Sequence, residues 1–212
     1  MGKFKQGILG PFSGKVGAVV GAQWRGISYM RGVPRVQSKP RTDLQNAQSS
    51  KLTLFRGFLL GVGDIVNKCF QNFDQYTEMN GALSYNMKYA VAGSYPDFEV
   101  DFPSFVFAKG ELLGSWTPTA CSKSIGKLRV SWKNRPFSNL SSSDDNVQVI
   151  LYCVKTEQFH IYDHIGIRSD KSVKLNVRED VRGNTVHCYL HFYSDKFKIS
   201  STNEYIGEIL VK

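Results

Sequence analysis

Three patterns predict an α+β chain. The first 42 residues are Gly-rich and basic and alternate with a period of two from Val16 to Trp24, and residues 42–69 carry an apolar seam at helical spacing. Beyond Asp101, about seven short alternating runs are separated by turn formers. Together these predict a basic N-terminal β-hairpin arm over residues 1–42, a short helical section over 43–98 and an antiparallel β-sandwich over 99–212.

The arm holds Lys3, Lys5, Lys15, Arg25, Arg31, Arg35, Lys39 and Arg41, and the first acidic residue of the chain is Asp43. Eight of the nine net positive charges therefore lie here, leaving a net charge of +1 on the remaining 170 residues. Lys15 to Arg31 reads as a hairpin. Val16, Ala18, Val20, Ala22 and Trp24 alternate with Gly17, Val19, Gly21 and Gln23, Arg25-Gly26 supplies the turn, and Ile27 to Arg31 returns. Gly17 and Gly21 leave one face nearly bare for the close approach of another backbone. Gly7 to Gly14 holds no regular period, and Val33 to Pro40 reads as a linker.

Thr42 with Gln45 forms a capping-box pattern. Leu52, Phe55, Leu59, Val62, Val66 and Cys69 then mark one helix face, with a break expected near 61–63 where glycines cluster. A second helix is expected over about 81–91, ending at Gly93 and the Tyr95-Pro96 break, antiparallel to the first.

In the sandwich, Leu128, Val130 and Trp132 form one inward row, and Val147, Val149, Leu151 and Cys153 a second. Phe159, Ile161 and Ile165 form a third, Val173, Leu175 and Val177 a fourth, and Val186, Cys188, Leu190 and Phe192 a fifth. Phe105-Val106-Phe107 and Tyr205 to Val211 complete the strands. His187, Tyr189, His191 and Tyr193 alternate with the fifth row and are expected to face solvent. The early Trp132 and the Tyr-rich penultimate strand resemble the pattern of fibronectin type III domains, which implies that the Val147 strand lies between the two His-bearing strands.

The composition, 42% hydrophobic and 21% charged, is that of a folded chain, and no apolar run is long enough to span a membrane. Gly and Ser recur where a signal peptide needs an apolar stretch, so a cytoplasmic or assembly-associated location is expected. Cys69, Cys121, Cys153 and Cys188 include no CxxC pair, which argues against metal knuckles and redox motifs. They read as reduced thiols, with Cys153 and Cys188 inward on neighbouring strands.

Several stretches imitate catalytic or metal-binding motifs. Gly10 to Val16 lacks the first glycine of a P-loop, where Leu9 stands, and the hydroxyl after Lys15, where Val16 stands. Ser124-Ile-Gly-Lys127 has S-x-x-K spacing but leads into a strand rather than a helix. His160/His164 and His187/His191 are i,i+4 pairs, but on strands that spacing is about 13 Å, too far to share an ion. Asp144 and Asp145 read as a solvated Ser-rich turn. No catalytic residue, cofactor or metal is expected.

The residues Gly7-Ile-Leu-Gly-Pro-Phe-Ser-Gly-Lys-Val-Gly-Ala-Val-Val-Gly21, Trp24-Arg25-Gly26, Arg31 and Pro40-Arg41-Thr42 resemble an uncharacterised family of Bacteroidota proteins of about this length. Ser84 to Lys88, Tyr95 to Phe98 and the Tyr205-Ile-Gly-Glu tail carry the resemblance along the chain. It implies no activity and no site. The P-R-T-x-x-Q stretch is similar to segments of bacteriophage-type structural proteins.

The expected function is therefore that of a non-enzymatic structural or interaction protein. Its arm would dock onto a protein partner or another copy, in a phage-like or other bacterial assembly. The alternative is nucleic-acid binding, with Lys3, Lys5, Lys15, Arg25, Arg31, Arg35, Lys39 and Arg41 on phosphates and Trp24 and Tyr29 stacking on bases.

Overall fold

The computed structural model describes residues 3–4, 10–34, 40–71, 76–134 and 138–212. They divide into two compact units, Met1–Thr42 and Asp43–Lys212.

The first unit is a four-stranded antiparallel sheet in the order β1-β2-β3-β4, with β1 at Lys3–Phe4, β2 at Phe12–Val16, β3 at Val19–Trp24 and β4 at Ile27–Gly32. β3 and β4 form the expected hairpin about Arg25-Gly26. Both turn residues have positive φ, 47° and 80°, the backbone that matches the twist of paired strands. The run from Val16 to Trp24 is not one strand, however. Gly17 takes a left-handed φ of 58°, so the chain folds back there and Phe12–Val16 becomes a further strand. Gly21, by contrast, does permit close approach. A Cβ there would lie 2.2 Å from the Phe12 carbonyl oxygen and 2.8 Å from its ring.

In the second unit, helices α1 (Asp43–Leu60), α2 (Gly63–Cys69) and α3 (Glu78–Tyr89) precede a hairpin of β5 (Val91–Ser94) and β6 (Asp97–Val100). The helix breaks after Leu60, where expected. A Cβ at Gly61 would lie 2.6 Å from the Phe159 ring, so glycine lets the helix end press against the sheet. Phe55, Leu59, Val62, Val66 and Cys69 are buried as the seam requires, while Leu52 is exposed. Thr77 caps α3 by accepting from the Asn80 amide at 3.3 Å. The Tyr95-Pro96 break proves to be the turn of the β5–β6 hairpin.

Eight further strands follow: β7 (Trp116–Ser124), β8 (Lys127–Lys133), β9 (Asn146–Cys153), β10 (Gln158–Tyr162), β11 (Ser172–Asn176), β12 (Thr185–Ser194), β13 (Ile199–Ser200) and β14 (Glu204–Leu210). One sheet runs β11-β8-β7. The other runs β10-β9-β12, with both β13 and β14 on the far edge of β12. Every pairing is antiparallel, giving a β-sandwich whose strand order is fibronectin-like. Between the sheets lies a core of Leu128, Val130, Trp132, Val149, Leu151, Val173, Leu175, Val186, Leu190 and Phe192.

Besides the turn at Gly17 and the His/Tyr row of β12 taken up below, the structure departs from the sequence reading at four places. The third inward row fails: Ile161 is exposed, while His160, in register with inward-facing Leu151, is buried. Phe105–Phe107 is not a strand. Its backbone is held by two buried amides instead. Asn86 donates to the Val106 carbonyl at 2.6 Å and accepts from the Val106 amide at 2.9 Å. Asn203 accepts from the Phe107 amide at 2.9 Å and donates to the Phe105 carbonyl at 2.9 Å. Freed from sheet alternation, Phe105 and Phe107 both join the cluster under the helices.

The third departure is that the helices do not stand as a separate section. Phe55, Leu59 and Val66 share one buried cluster with Ile150, Tyr189 and Tyr193 of the sheet, so the second unit has three layers: helices, larger sheet, smaller sheet.

Finally, Asp145 is no solvated turn residue. It is 1% exposed and accepts from Arg168 Nε at 2.9 Å. Arg168 also donates to the Leu113 carbonyl at 2.7 Å and lies 3.9 Å from the centre of the Phe192 ring. Its own carbonyl accepts from Trp132 Nε1 at 3.2 Å. Replacing Arg168 with Met strands a buried carboxylate, and a loss of about 3–5 kcal/mol in denaturant unfolding is expected. The Arg168→Met/Asp145→Leu double variant should recover a large part of it.

Candidate interaction surfaces and the buried His/Tyr face

Strand pairing places the aromatic and basic residues of the arm. Lys15 lies opposite Val20, and Val20 opposite Arg31. Tyr29 lies opposite Ala22, and Ile27 opposite Trp24. Residues directly opposite share a face, so Lys15, Trp24, Tyr29 and Arg31 project from one side of the sheet. All four are exposed. Arg25, in the turn, holds its guanidinium 5.3 Å from the centre of the Trp24 ring. Lys3 is exposed on the edge strand opposite Ser13, and Arg41 is exposed just before α1. Lys5, Arg35 and Lys39 lie outside the described residues.

The other face of this sheet carries Phe12 over Gly21, with Met30 opposite Gly21 on β4. A shallow concavity of ≈ 310 Å³ is lined in part by Pro11, Phe12 and Met30. The sheet has almost no interior of its own: Val16, Val19, Trp24, Ile27, Tyr29, Met30 and Val33 are all exposed, and so is every residue of β4.

The His/Tyr row of β12, expected to face solvent, does not. His187, Tyr189, His191 and Tyr193 are 7%, 0%, 1% and 3% exposed. They sit beneath Phe102, Phe105, Phe107 and the helices. His187 stacks on Phe102 with ring centres 3.7 Å apart, and its Nδ1 is 2.9 Å from the Tyr205 hydroxyl. Tyr189 donates to the Phe102 carbonyl at 2.9 Å. His191 is wedged edge-on to Phe107, and among the described residues neither ring nitrogen has a hydrogen-bond partner. Loss of solvent holds the imidazoles of His160 and His187 below their ordinary range and drives His191 down to about 3.

β9 separates the two His-bearing strands, as the fibronectin-like resemblance implies. Among the described residues, no three His, Cys, Asp or Glu side chains converge as a metal site. Cys153 and Cys188 are buried on neighbouring strands, and burial pushes the Cys188 thiol far up and Cys69 to about 11. Among the same residues, no helix is long and apolar enough to cross a membrane.

Residues 11–207 match a family described as "Family of unknown function (DUF6266)", and the chain belongs to that family. None of the curated proteins matches it.

The buried imidazoles make stability depend on pH with a definite sign. Unfolded histidine takes up a proton near pH 6.5, whereas folded His191 resists it until about 3. Stability is therefore whole above about pH 6.5 and is lost as the pH falls, by about 1.4 kcal/mol per pH unit for each proton excluded. Urea unfolding at a series of pH values should show this decline, and His191→Phe should flatten it by about one proton's worth between pH 6 and 4.

Proposed function

We infer that the protein is a non-enzymatic interaction protein whose N-terminal sheet docks onto another protein surface, with a second copy of the chain the first candidate. One observation carries this reading: the sheet leaves apolar side chains exposed on both faces and the whole of β4 uncovered. A sheet without a covered hydrophobic face is marginal in water. Among the described residues β4 is an edge strand; such an edge offers its N–H and C=O groups as a template for a further strand, and a two-fold pair of identical β4 edges would satisfy both at once.

A second reading, nucleic-acid binding by the arm, is favoured by the shared face of Lys15, Trp24, Tyr29 and Arg31. That face combines phosphate-neutralising cations with two stacking rings.

Amide exchange and sedimentation of the full chain separate these readings. Docking predicts fast exchange of the β4 amides in the dilute monomer and protection as concentration rises. Met30→Lys with Ile27→Lys should hold the protein monomeric. β4 amides already protected in a dilute monomer overturn the docking reading. Binding to nucleic acid that vanishes with Lys15→Gln/Arg31→Gln supports the second reading instead.

A further inference from the structure

The outward face of the smaller sandwich sheet is a cationic surface separate in sequence from the arm. Residues 112–143 contain no Asp or Glu. Lys127, Arg129, Ser131 and Lys133 point outward along β8, alternating with buried Leu128, Val130 and Trp132. Lys123 of β7 and Lys174 of β11 flank them, and all five cations are exposed.

Two features set this face apart from an ordinary solvated one. First, Lys174 lies directly opposite Arg129 in the ladder, with Cys121 opposite Arg129 on its other side. Like charges directly opposite are destabilising, and among the described residues no carboxylate pairs with any of the five cations. Second, the surface is concave there. Cys121, Lys123, Lys127, Arg129 and Lys174 line a depression of ≈ 380 Å³.

An aromatic ring and hydroxyls complete the surface. Trp116 is 47% exposed and lies opposite Lys133 at the far end of the row. Thr119 and Ser131, between the ends, hold their hydroxyls 2.9 Å apart. Outward residues on a strand recur about every 6.6 Å, which is close to the spacing of successive phosphates on an extended polynucleotide.

We propose that this face binds single-stranded nucleic acid, with the backbone running along β8 across Lys127, Arg129 and Lys133 and a base stacked on Trp116. A single strand fits better than a duplex because an exposed ring needs an unpaired base face to stack on. Phosphate oxygens would supply the counter-charge that the Arg129–Lys174 pair lacks. The proposal does not depend on the arm, whose cations and rings are different residues.

The test is fluorescence anisotropy of a labelled oligothymidylate with the full-length protein across a salt series. Arg129→Gln/Lys174→Gln should lower the slope of log affinity against log salt by about 1.4, two cations at about 0.7 each. Trp116→Ala should weaken binding about tenfold. Thermal unfolding of the Gln variant should be no lower than that of the parent, since a repulsive pair has been removed. Absence of binding overturns the proposal. So does binding that is lost only with Lys15→Gln/Arg31→Gln in the arm. Equal affinity for inorganic polyphosphate, unchanged by Trp116→Ala, also overturns it, because the face would then be reading charge alone.

Discussion

Strand β12 has no solvent face, and most of the second unit follows from that. Nine of its ten residues are buried. One side, Val186, Cys188, Leu190 and Phe192, meets the smaller sheet, and the other carries His187, Tyr189, His191 and Tyr193. A strand buried on both sides needs two covering layers, and the chain supplies the second with α1, α2 and the Phe102–Ala108 segment. Covering it raises a further problem, since the row is only half apolar. The hydroxyl of Tyr189 finds the Phe102 carbonyl and His187 finds Tyr205, whereas His191 is left neutral and, among the described residues, without a hydrogen bond. That arrangement holds only while the imidazole stays unprotonated, so the packing of the helices and the acid limit of the fold share one cause.

The covering layer is itself organised by side-chain amides. Asn86 on α3 and Asn203 before β14 hold the backbone of residues 105–108 as a neighbouring strand would, without imposing strand alternation. On the far side of the larger sheet, Arg168 has the matching role. It ties the loop before β7 to the loop before β9 while its guanidinium lies on Phe192. Buried polar groups are costly unless fully paired. The amides of Asn86 and Asn203 and the guanidinium of Arg168 are paired in this way, and they fix the loops that lead into the outer strands.

The sequence was most legible where alternation alone decides structure. Val186 to Phe192 and Leu128 to Trp132 show which side chains share a side, and the structure keeps those rows. Alternation does not say what lies on the other side. His187 and Tyr193 read as solvent-facing because they are polar, although a ten-residue run with no charged side chain suits a central strand. Phe105 to Phe107 looked like a strand because two amides, 20 and 96 residues away along the chain, are invisible locally. Asp145 looked solvated because its partner Arg168 lies 23 residues further on. In the arm, Gly17 offered a turn within an unbroken period of two, and local pattern could not choose between turn and strand.

The candidate surfaces were unequally visible for an electrostatic reason. The arm is conspicuous because it contains no acid at all, so its charge appears directly in the net total. The cations of β7, β8 and β11 are hidden in a segment whose net charge is only +1, because acids elsewhere in the second unit balance them in the sum but not in space. Salt largely screens interactions between exposed charges more than about 10 Å apart, so a phosphate at Arg129 senses its near neighbours and not the total. Local sign, set by strand register, is what a ligand meets. A face that keeps Arg129 opposite Lys174 gives up stability to hold that sign.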